Sequence, residues 1–267
     1  MYLFHKKSFL IKTIALILVL ITSACFIVGC SCTDTGQLTP EDYSKVVNTT
    51  APADTPTEIV TTPEGSTVVL ADNPINFDEL SSLNPDLYAW IKIPGTVIDY
   101  PVAQSLNGDD NFYLHHNYLG NYEFAGTIYS QRHNTRYFMD RVTVLYGHNM
   151  RNGSMFAGLH DFYDKDFFDE HDTIYIYIDG HILTYKIFAA YDYDDRHLLN
   201  SFDFSDDEVY SKYLSDCLDP HSTNANIRDG VTLDTDDRII TLSTCTNYNS
   251  NLRLLVQGVL INDELTK

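Results

Sequence analysis

Hydrophobic and polar positions divide this chain of 267 residues into three parts. Residues 1–32 are largely apolar after a short basic start, and residues 33–76 are rich in Thr, Pro, Asp and Ser without a sustained period. Residues 77–267 alternate apolar runs with turn residues. The pattern predicts an N-terminal membrane anchor, an extended polar linker and one folded domain, in that order.

The folded part contains short runs rich in Val, Ile, Thr and Tyr, which are typical of β-strands. These runs cover residues 91–93, 97–100, 126–130, 142–146, 173–178, 182–190, 238–242 and 252–261. Many short strands separated by turn residues favour a closed or nearly closed barrel. We therefore expect a mostly β fold.

Two helices are expected among these strands. Asn84-Pro85-Asp86 offers a cap, a proline and an acidic first turn, which predicts a short helix beginning over Leu87–Trp90. The run Ser205-Asp206-Asp207-Glu208 resembles a capping box, and the apolar positions after it recur with a period near 3.6 as far as Leu218. Cys217 falls on the buried face of this second helix.

The apolar stretch at residues 8–29 is long enough to cross a bilayer. Basic residues precede or begin it (Lys6, Lys7 and Lys12), so the positive-inside tendency places the N-terminus in the cytoplasm. A cleaved signal peptide shows the same pattern. Residues 27–30, which end in Cys30, approximate a lipoprotein box. All three interpretations place the folded domain outside the cell, and we expect a single-pass membrane protein.

The charge of the chain restricts its partners. The formal net charge is −20, and three lysines but no acidic residue precede residue 33, so the exported part is more acidic still. Such a surface repels phosphate groups, which disfavours nucleic acid or anionic lipid as a partner.

Five cysteines are present, but Cys25, Cys30 and Cys32 belong to the membrane segment and its edge. Cys217 and Cys245 remain in the folded part, where they could form a disulfide or stay free. Because Cys217 is expected on the buried face of a helix, as a small apolar core residue, Cys245 is left without an obvious disulfide partner.

Cys245 ends a β-branched run over residues 238–244 and precedes a polar loop that leads to Leu252. A cysteine at a strand end is held on a rigid element yet accessible, which suits a nucleophile. A catalytic thiol needs a cationic neighbour or local dipoles to ionise. Arg253 would return beside Cys245 if the two strands are antiparallel, and it could then stabilise an oxyanion. Pairing of Arg253 with a surface carboxylate is the alternative.

Among ten histidines, His148 stands out because it follows a strand and a glycine, Gly147. An imidazole at a strand end can carry a proton between a thiol and a leaving amine, although a structural role is the alternative. Neither a His-Glu-x-x-His motif nor a paired Cys-x-x-Cys motif is present, so we expect no metal and no cofactor.

These residues resemble the sortase family, on the strength of three motifs in the same order: Tyr146-Gly147-His148-Asn149-Met150, then Thr241-Leu242-Ser243-Thr244-Cys245, then Arg253. The stretch at residues 90–102 and the helix before the cysteine strand resemble class B in particular, and the likeness covers residues 77–262. The resemblance implies a sortase-type closed barrel of about eight strands with peripheral helices, one at its N-terminus and one before the cysteine strand.

The resemblance also implies a reaction. Cys245 would attack the threonine carbonyl of a C-terminal sorting motif in an exported protein and form a thioacyl enzyme, with Arg253 holding the oxyanion and His148 protonating the leaving amine. An amine of a peptidoglycan peptide, or of its lipid-linked precursor, would then accept the protein. Residues implied to contact the sorting peptide or line its groove are Asn111, Leu198, Leu199 and Ser243.

Asn247 departs from the pattern, because some class B members carry an acidic residue at this position. An Asn could still orient the histidine through its amide. A pilin-polymerising sortase is an alternative, since it uses the same chemistry with a lysine acceptor. Other exported cysteine enzymes fit less well, because they place histidine and cysteine in other arrangements. A non-catalytic surface lipoprotein anchored at Cys30 is the remaining alternative.

Overall fold

The computed structural model describes residues 36–48, 58–61 and 67–267. The predicted membrane anchor at residues 1–32 lies outside these residues. Within the described ranges, no helix has the length and apolar character needed to span a membrane.

Short strands dominate the described residues, with helices between them. The strands, in chain order, are β1 (Glu58–Thr61), β2 (Thr67–Leu70), β3 (Leu87–Lys92), β4 (Asp99–Ala103), β5 (Ile128–Tyr129), β6 (Val142–Tyr146), β7 (Thr173–Ile178), β8 (His181–Asp194), β9 (Ala225–Ile227), β10 (Ile239–Cys245) and β11 (Leu252–Leu265). The α-helices are α1 (Pro40–Val46), α2 (Phe77–Leu83), α3 (Lys165–Glu170), α4 (Leu198–Ser201) and α5 (Asp207–Leu218). Turns of 3₁₀ helix cover Phe112–Leu114 and Phe156–Tyr163.

Eight strands close into a barrel in the order β11-β10-β6-β5-β4-β3-β7-β8, and β8 pairs with β11 to complete it. β9 extends the sheet beside β8, and β1 and β2 form a separate hairpin. The predicted mostly β fold with a closed barrel of about eight strands is therefore confirmed.

The cysteine strand β10 is covered on both faces for most of its length. Ile240 and Leu242 point into the barrel core, while Ile239 packs in a second cluster against α5. Successive side chains of a strand point to opposite faces, so two layers bury it. Only the last residue, Cys245, is exposed. The packing thus fixes the strand rigidly and leaves its end accessible.

The helix predicted to begin over Leu87–Trp90 is wrong, because these residues belong to β3. Five consecutive side chains of β3 are buried, since both faces of the strand are covered. The helix lies earlier, at α2, where Asn76 is the N-cap and Asn84 ends the helix. The Asn-Pro-Asp run therefore forms the connection into β3.

The segment predicted as an extended linker contains ordered structure in its described part. Thr39 caps α1, whose Val46 is fully buried. Ile75 is also buried, and both residues pack in a cluster with Trp90 of β3. The few large apolar residues of this segment thus dock on the barrel, which residue composition alone did not indicate.

The helix predicted over residues 206–218 is α5, and Cys217 is buried on it as expected. Its N-cap is Asp206, whose side chain accepts hydrogen bonds from the backbone N–H groups of Glu208 and Val209. The helix therefore begins one residue later than a capping box at Ser205 would place it.

Candidate active site

Cys245 is an exposed free cysteine at the end of β10, whereas Cys217 is free and lies on the buried face of α5. The two therefore form no disulfide. The residues on either side of Cys245, Thr244 and Thr246, are both buried. Alternation along the strand turns the thiol to the open face of the barrel rim.

Arg253 lies directly opposite Cys245 in the antiparallel ladder of β10 and β11. Side chains of such a pair share a face, with Cβ atoms about 4.5–5.5 Å apart. One terminal nitrogen of Arg253, Nη1, donates to the carbonyl oxygens of Ser250 (2.8 Å) and Leu252 (2.9 Å). Its Nε and Nη2 groups remain to donate toward a substrate carbonyl beside the thiol.

His148 follows β6, which runs parallel to β10 with Tyr146 opposite Ser243. Because the two strands are parallel, the residues just after each strand meet at the same rim. The side chain of Thr244 donates to the backbone carbonyl of Gly147 at 2.8 Å, which links the residues that precede the thiol and the imidazole.

Close packing around Gly147 explains why a glycine precedes His148. A Cβ atom at this position would lie 2.5 Å from Ile128 Cδ1 and 2.7 Å from Phe156 Cδ2. Such distances are far below van der Waals contact, so a larger residue would displace the backbone that carries His148.

A hydrogen bond and ring stacking orient the imidazole of His148. Its Nε2 lies 2.9 Å from the carbonyl oxygen of Leu114. Because a carbonyl only accepts, Nε2 carries a proton in this contact. The imidazole also stacks on Phe124 (centroids 5.2 Å apart) and His115 (5.3 Å).

The strand pairing thus brings the ends of the segments that carry a thiol, an imidazole and a guanidinium to one rim of the barrel. In a comparison with known families, the sortase domain matches residues 91–261. The chain belongs to the sortase family. Sortases act on proteins that carry a sorting motif and on cell-wall peptides.

Relatives of known class place the chain within this family. Sortase B of Listeria monocytogenes is 37% identical over 188 residues, which cover 68% of this chain and 73% of that protein. Sortase B of Staphylococcus aureus is 29% identical over 181 residues, which cover 67% of this chain and 72% of that protein.

Solved structures show the same barrel. The crystal structure of Clostridium perfringens sortase B matches with a TM-score of 0.64 and 37% identity, over 70% of this chain and 100% of that chain. A Staphylococcus aureus sortase B–substrate complex matches with a TM-score of 0.61 and 28% identity, over 70% of this chain and 84% of that chain. The chain is therefore a class B sortase, a cysteine transpeptidase.

The implied substrate contact Asn111 of this sortase is exposed, and its amide is oriented by buried neighbours. Asn111 Oδ1 accepts hydrogen bonds from Gln131 Nε2 (3.0 Å) and from the Tyr129 hydroxyl (3.3 Å). Gln131 in turn contacts His197 Nε2 at 2.5 Å. With its oxygen occupied in this way, the Asn111 amide presents its N–H groups as donors for a peptide.

The other three implied contacts differ in accessibility. Ser243 lies on the same face of β10 as Cys245, since the two alternate along the strand, and it is 8% exposed. Leu199 is half-buried and lines a cavity of about 550 Å³ with Phe202 and Arg141. Leu198 is buried in the cluster under α5. At 5% exposure, Leu198 offers little surface to a peptide in this structure.

The sequence did not indicate the side chains that hold the loop between Cys245 and β11. The hydroxyls of Tyr163 and Tyr248 both donate to Asp192, and Asn224 Nδ2 donates to the same carboxylate at 3.0 Å. The side chain of Asn247 contacts His160 and Asn149, whereas the sequence suggested that it could orient His148. No local pattern marked these residues, because their partners come from distant segments.

Across the described residues, no group of three or more His, Cys, Asp or Glu side chains is arranged to hold a metal ion.

Proposed function

We propose that Cys245 is the nucleophile of the transpeptidation, with His148 as the proton carrier and Arg253 as the oxyanion donor. The observation that supports this assignment most strongly is that Cys245 alone in β10 is exposed, opposite Arg253 and at the rim where His148 follows β6.

In the first half-reaction, the Cys245 thiolate attacks the threonine carbonyl of the sorting motif. The oxygen becomes negative, and the Arg253 guanidinium stabilises it without losing its own proton. As the peptide C–N bond breaks, the leaving amine takes the proton from His148 Nδ1, and a thioester remains on Cys245.

In the second half-reaction, the amine of a peptidoglycan peptide or of its lipid-linked precursor attacks the thioester. The amine loses a proton to His148 as the new amide bond forms, and the C–S bond breaks to release the thiolate. Arg253 stabilises the oxyanion in both halves, because both pass through the same tetrahedral geometry.

The sorting peptide is proposed to bind along the face of β10 that carries Ser243 and Cys245. Asn111 would donate to a backbone carbonyl of the peptide, which its oriented amide supports. Leu199 would line the groove, with Leu198 beneath it. A variant with Asn111→Ala is expected to raise the KM for the sorting peptide, whereas Asn121→Ala, at an exposed position nearby, leaves it unchanged.

The substrates are proposed to be exported proteins with a C-terminal sorting motif, and the catalytic domain is proposed to lie outside a membrane that holds residues 1–32. The apolar stretch and its basic start support this location. Membrane fractionation with and without Cys30→Ala separates an anchor from a lipoprotein, because only a lipoprotein would lose its membrane association.

Cleavage of fluorogenic sorting peptides by the full-length chain in detergent tests the catalytic assignment. Cys245→Ala is expected to abolish cleavage, while Cys217→Ala, the matched control, retains it. His148→Ala and Arg253→Ala are each expected to reduce kcat by about a hundredfold or more. Cleavage by the Cys245→Ala variant at the wild-type rate would overturn the proposal.

A further inference from the structure

A closed cycle of hydrogen bonds surrounds the backbone carbonyl of Cys245. Asn149 Nδ2 donates to this carbonyl at 3.1 Å and to Asn247 Oδ1 at 2.7 Å. Asn247 Nδ2 lies 3.3 Å from His160 Nδ1, and His160 Nε2 lies 3.1 Å from the same Cys245 carbonyl. Three side chains from three separate segments therefore meet at the nucleophile's own backbone.

The cycle lies just beyond the last residue pair of β10 with β6, on the side of the strand away from β11. The carbonyl of Ser243 accepts from the backbone N–H of Gly147 at 3.2 Å, which is the last such bond beyond β6. The carbonyl of Cys245, two residues further along β10, points to the same side. Side-chain donors from Asn149 and His160 satisfy it there. At Cys245, these two side chains thus take the place of the backbone N–H donor that β6 supplies to Ser243.

The donors and acceptors of the cycle match in only one protonation state of His160. The Cys245 carbonyl accepts, so His160 Nε2 must carry a proton. Asn247 has its oxygen occupied by Asn149, so its Nδ2 donates and His160 Nδ1 must accept. An imidazole that donates at Nε2 and accepts at Nδ1 is neutral.

We propose that His160 is a positioning residue which, in its neutral form, closes the hydrogen-bond cycle around the Cys245 carbonyl and holds the thiol in register with His148 and Arg253. The proposal rests on Cys245 being the nucleophile. His160 does not touch the reacting atoms in this scheme, because it acts through the backbone of Cys245.

The surroundings of His160 favour the neutral form. Burial lowers the pKa of His160, while its hydrogen bond to the Cys245 carbonyl and the carboxylates of Asp161 and Asp192 act in the opposite direction. The aromatic ring of Tyr163 packs edge-on against the imidazole with centroids 5.6 Å apart. The cycle is therefore intact at neutral pH and opens as the pH falls through the pKa of His160, because protonated Nδ1 cannot accept from Asn247.

The pH dependence of kcat separates this role from a structural one. His160→Gln keeps a donor and an acceptor but does not titrate, so it is expected to retain kcat within about threefold at pH 7.5, whereas His160→Ala loses about tenfold or more. KM for the sorting peptide should change little. The ratio of wild-type kcat to His160→Gln kcat should fall as the pH drops below about 6.5. Taking the ratio of the two kcat values removes the pH dependence that both enzymes share.

All variants are assayed as the full-length chain in detergent. His181→Gln, at the first residue of β8, is the matched control. The control is expected to leave both kcat and the pH profile unchanged. Should His160→Ala prove unfolded by its melting curve, His160→Gln and Asn247→Leu still decide the question. Asn247→Leu is expected to lower kcat. The ratio of Asn247→Leu kcat to His160→Gln kcat should show no pH dependence, because the hydrogen bond that protonation breaks is already absent.

A wild-type to His160→Gln ratio that stays constant between pH 5 and pH 8, or a His160→Ala variant with wild-type kcat, would overturn this inference while leaving the nucleophile intact. Cleavage by Cys245→Ala would instead overturn the proposed function. The two failures are therefore distinguishable in the same assay.

Discussion

Cys245 and Arg253 face each other in the final pair of the ladder between β10 and β11. The loop between them changes the direction of the chain, but the sheet sets their separation. The guanidinium is therefore held beside the thiol by backbone pairing, and its own contacts to the Ser250 and Leu252 carbonyls aim it. In the mechanism that we propose, this arrangement would need no reorganisation when the oxyanion forms.

Arg253→Lys tests whether the geometry of the guanidinium matters beyond its charge. A lysine keeps the positive charge but loses the planar fork of donors, so kcat is expected to fall by about a hundredfold in the peptide cleavage assay. Arg238→Lys, just before β10 and at the end of that strand away from Cys245, is the control and should keep wild-type kcat. An Arg253→Lys variant as active as the wild type would show that charge alone suffices.

The reactivity of the two thiols of the folded domain is expected to differ sharply. Burial raises the pKa of the Cys217 thiol to about 11, and its side chain is 1% exposed beside Tyr191. Iodoacetamide at pH 8 should therefore label Cys245 but not Cys217, as read by peptide mass spectrometry. Cys217 should become labelled once the protein is unfolded. Labelling of native Cys217 at the rate of Cys245 would contradict its burial.

Much of the barrel was predictable because its strands carry a local pattern. β6 and β7 have the predicted bounds, since their β-branched runs end at turn residues. In β7 the isoleucines alternate with half-exposed residues, which marks a strand directly. The location of Cys245 at a strand end was predictable for the same reason. The order of the three motifs around His148, Cys245 and Arg253 then indicated the sortase family.

Other features depended on contacts that no local pattern encodes. Leu87 to Trp90 form a strand because β4 and β7 pair with β3 on its two sides, although a helix-start signal precedes them. His160 is one of ten histidines, and no local pattern distinguishes it. Its contact with the Cys245 carbonyl becomes visible only in the folded structure. The docking of α1 likewise depends on single apolar residues, such as Val46, within a polar segment.

Gly147→Ala tests the close packing behind His148. The added Cβ would clash with Ile128 and Phe156, so we expect a loss of stability of about 1–3 kcal/mol and a lower kcat as the histidine is displaced. Gly158→Ala is the matched control, because its Cβ would approach Val97 at an ordinary 3.4 Å. Thermal melting and peptide cleavage measure the two effects. Equal melting temperatures for both variants would refute the packing argument.

The docking of α1 on the barrel can be tested through the single tryptophan of the chain. Tyr43 of α1 packs edge-on against Trp90 with centroids 5.9 Å apart, and Val46 of the same helix is fully buried beside it. Val46→Asp places a charge in this apolar contact, so the helix should undock, with a loss of about 2 kcal/mol or more and a fall in melting temperature of about 5 °C. Trp90 would then contact water, which shifts its fluorescence emission to longer wavelength before the barrel unfolds. Ser44→Asp, on the exposed face of α1, should change neither signal, and an unshifted emission in Val46→Asp would mean that α1 does not cover Trp90.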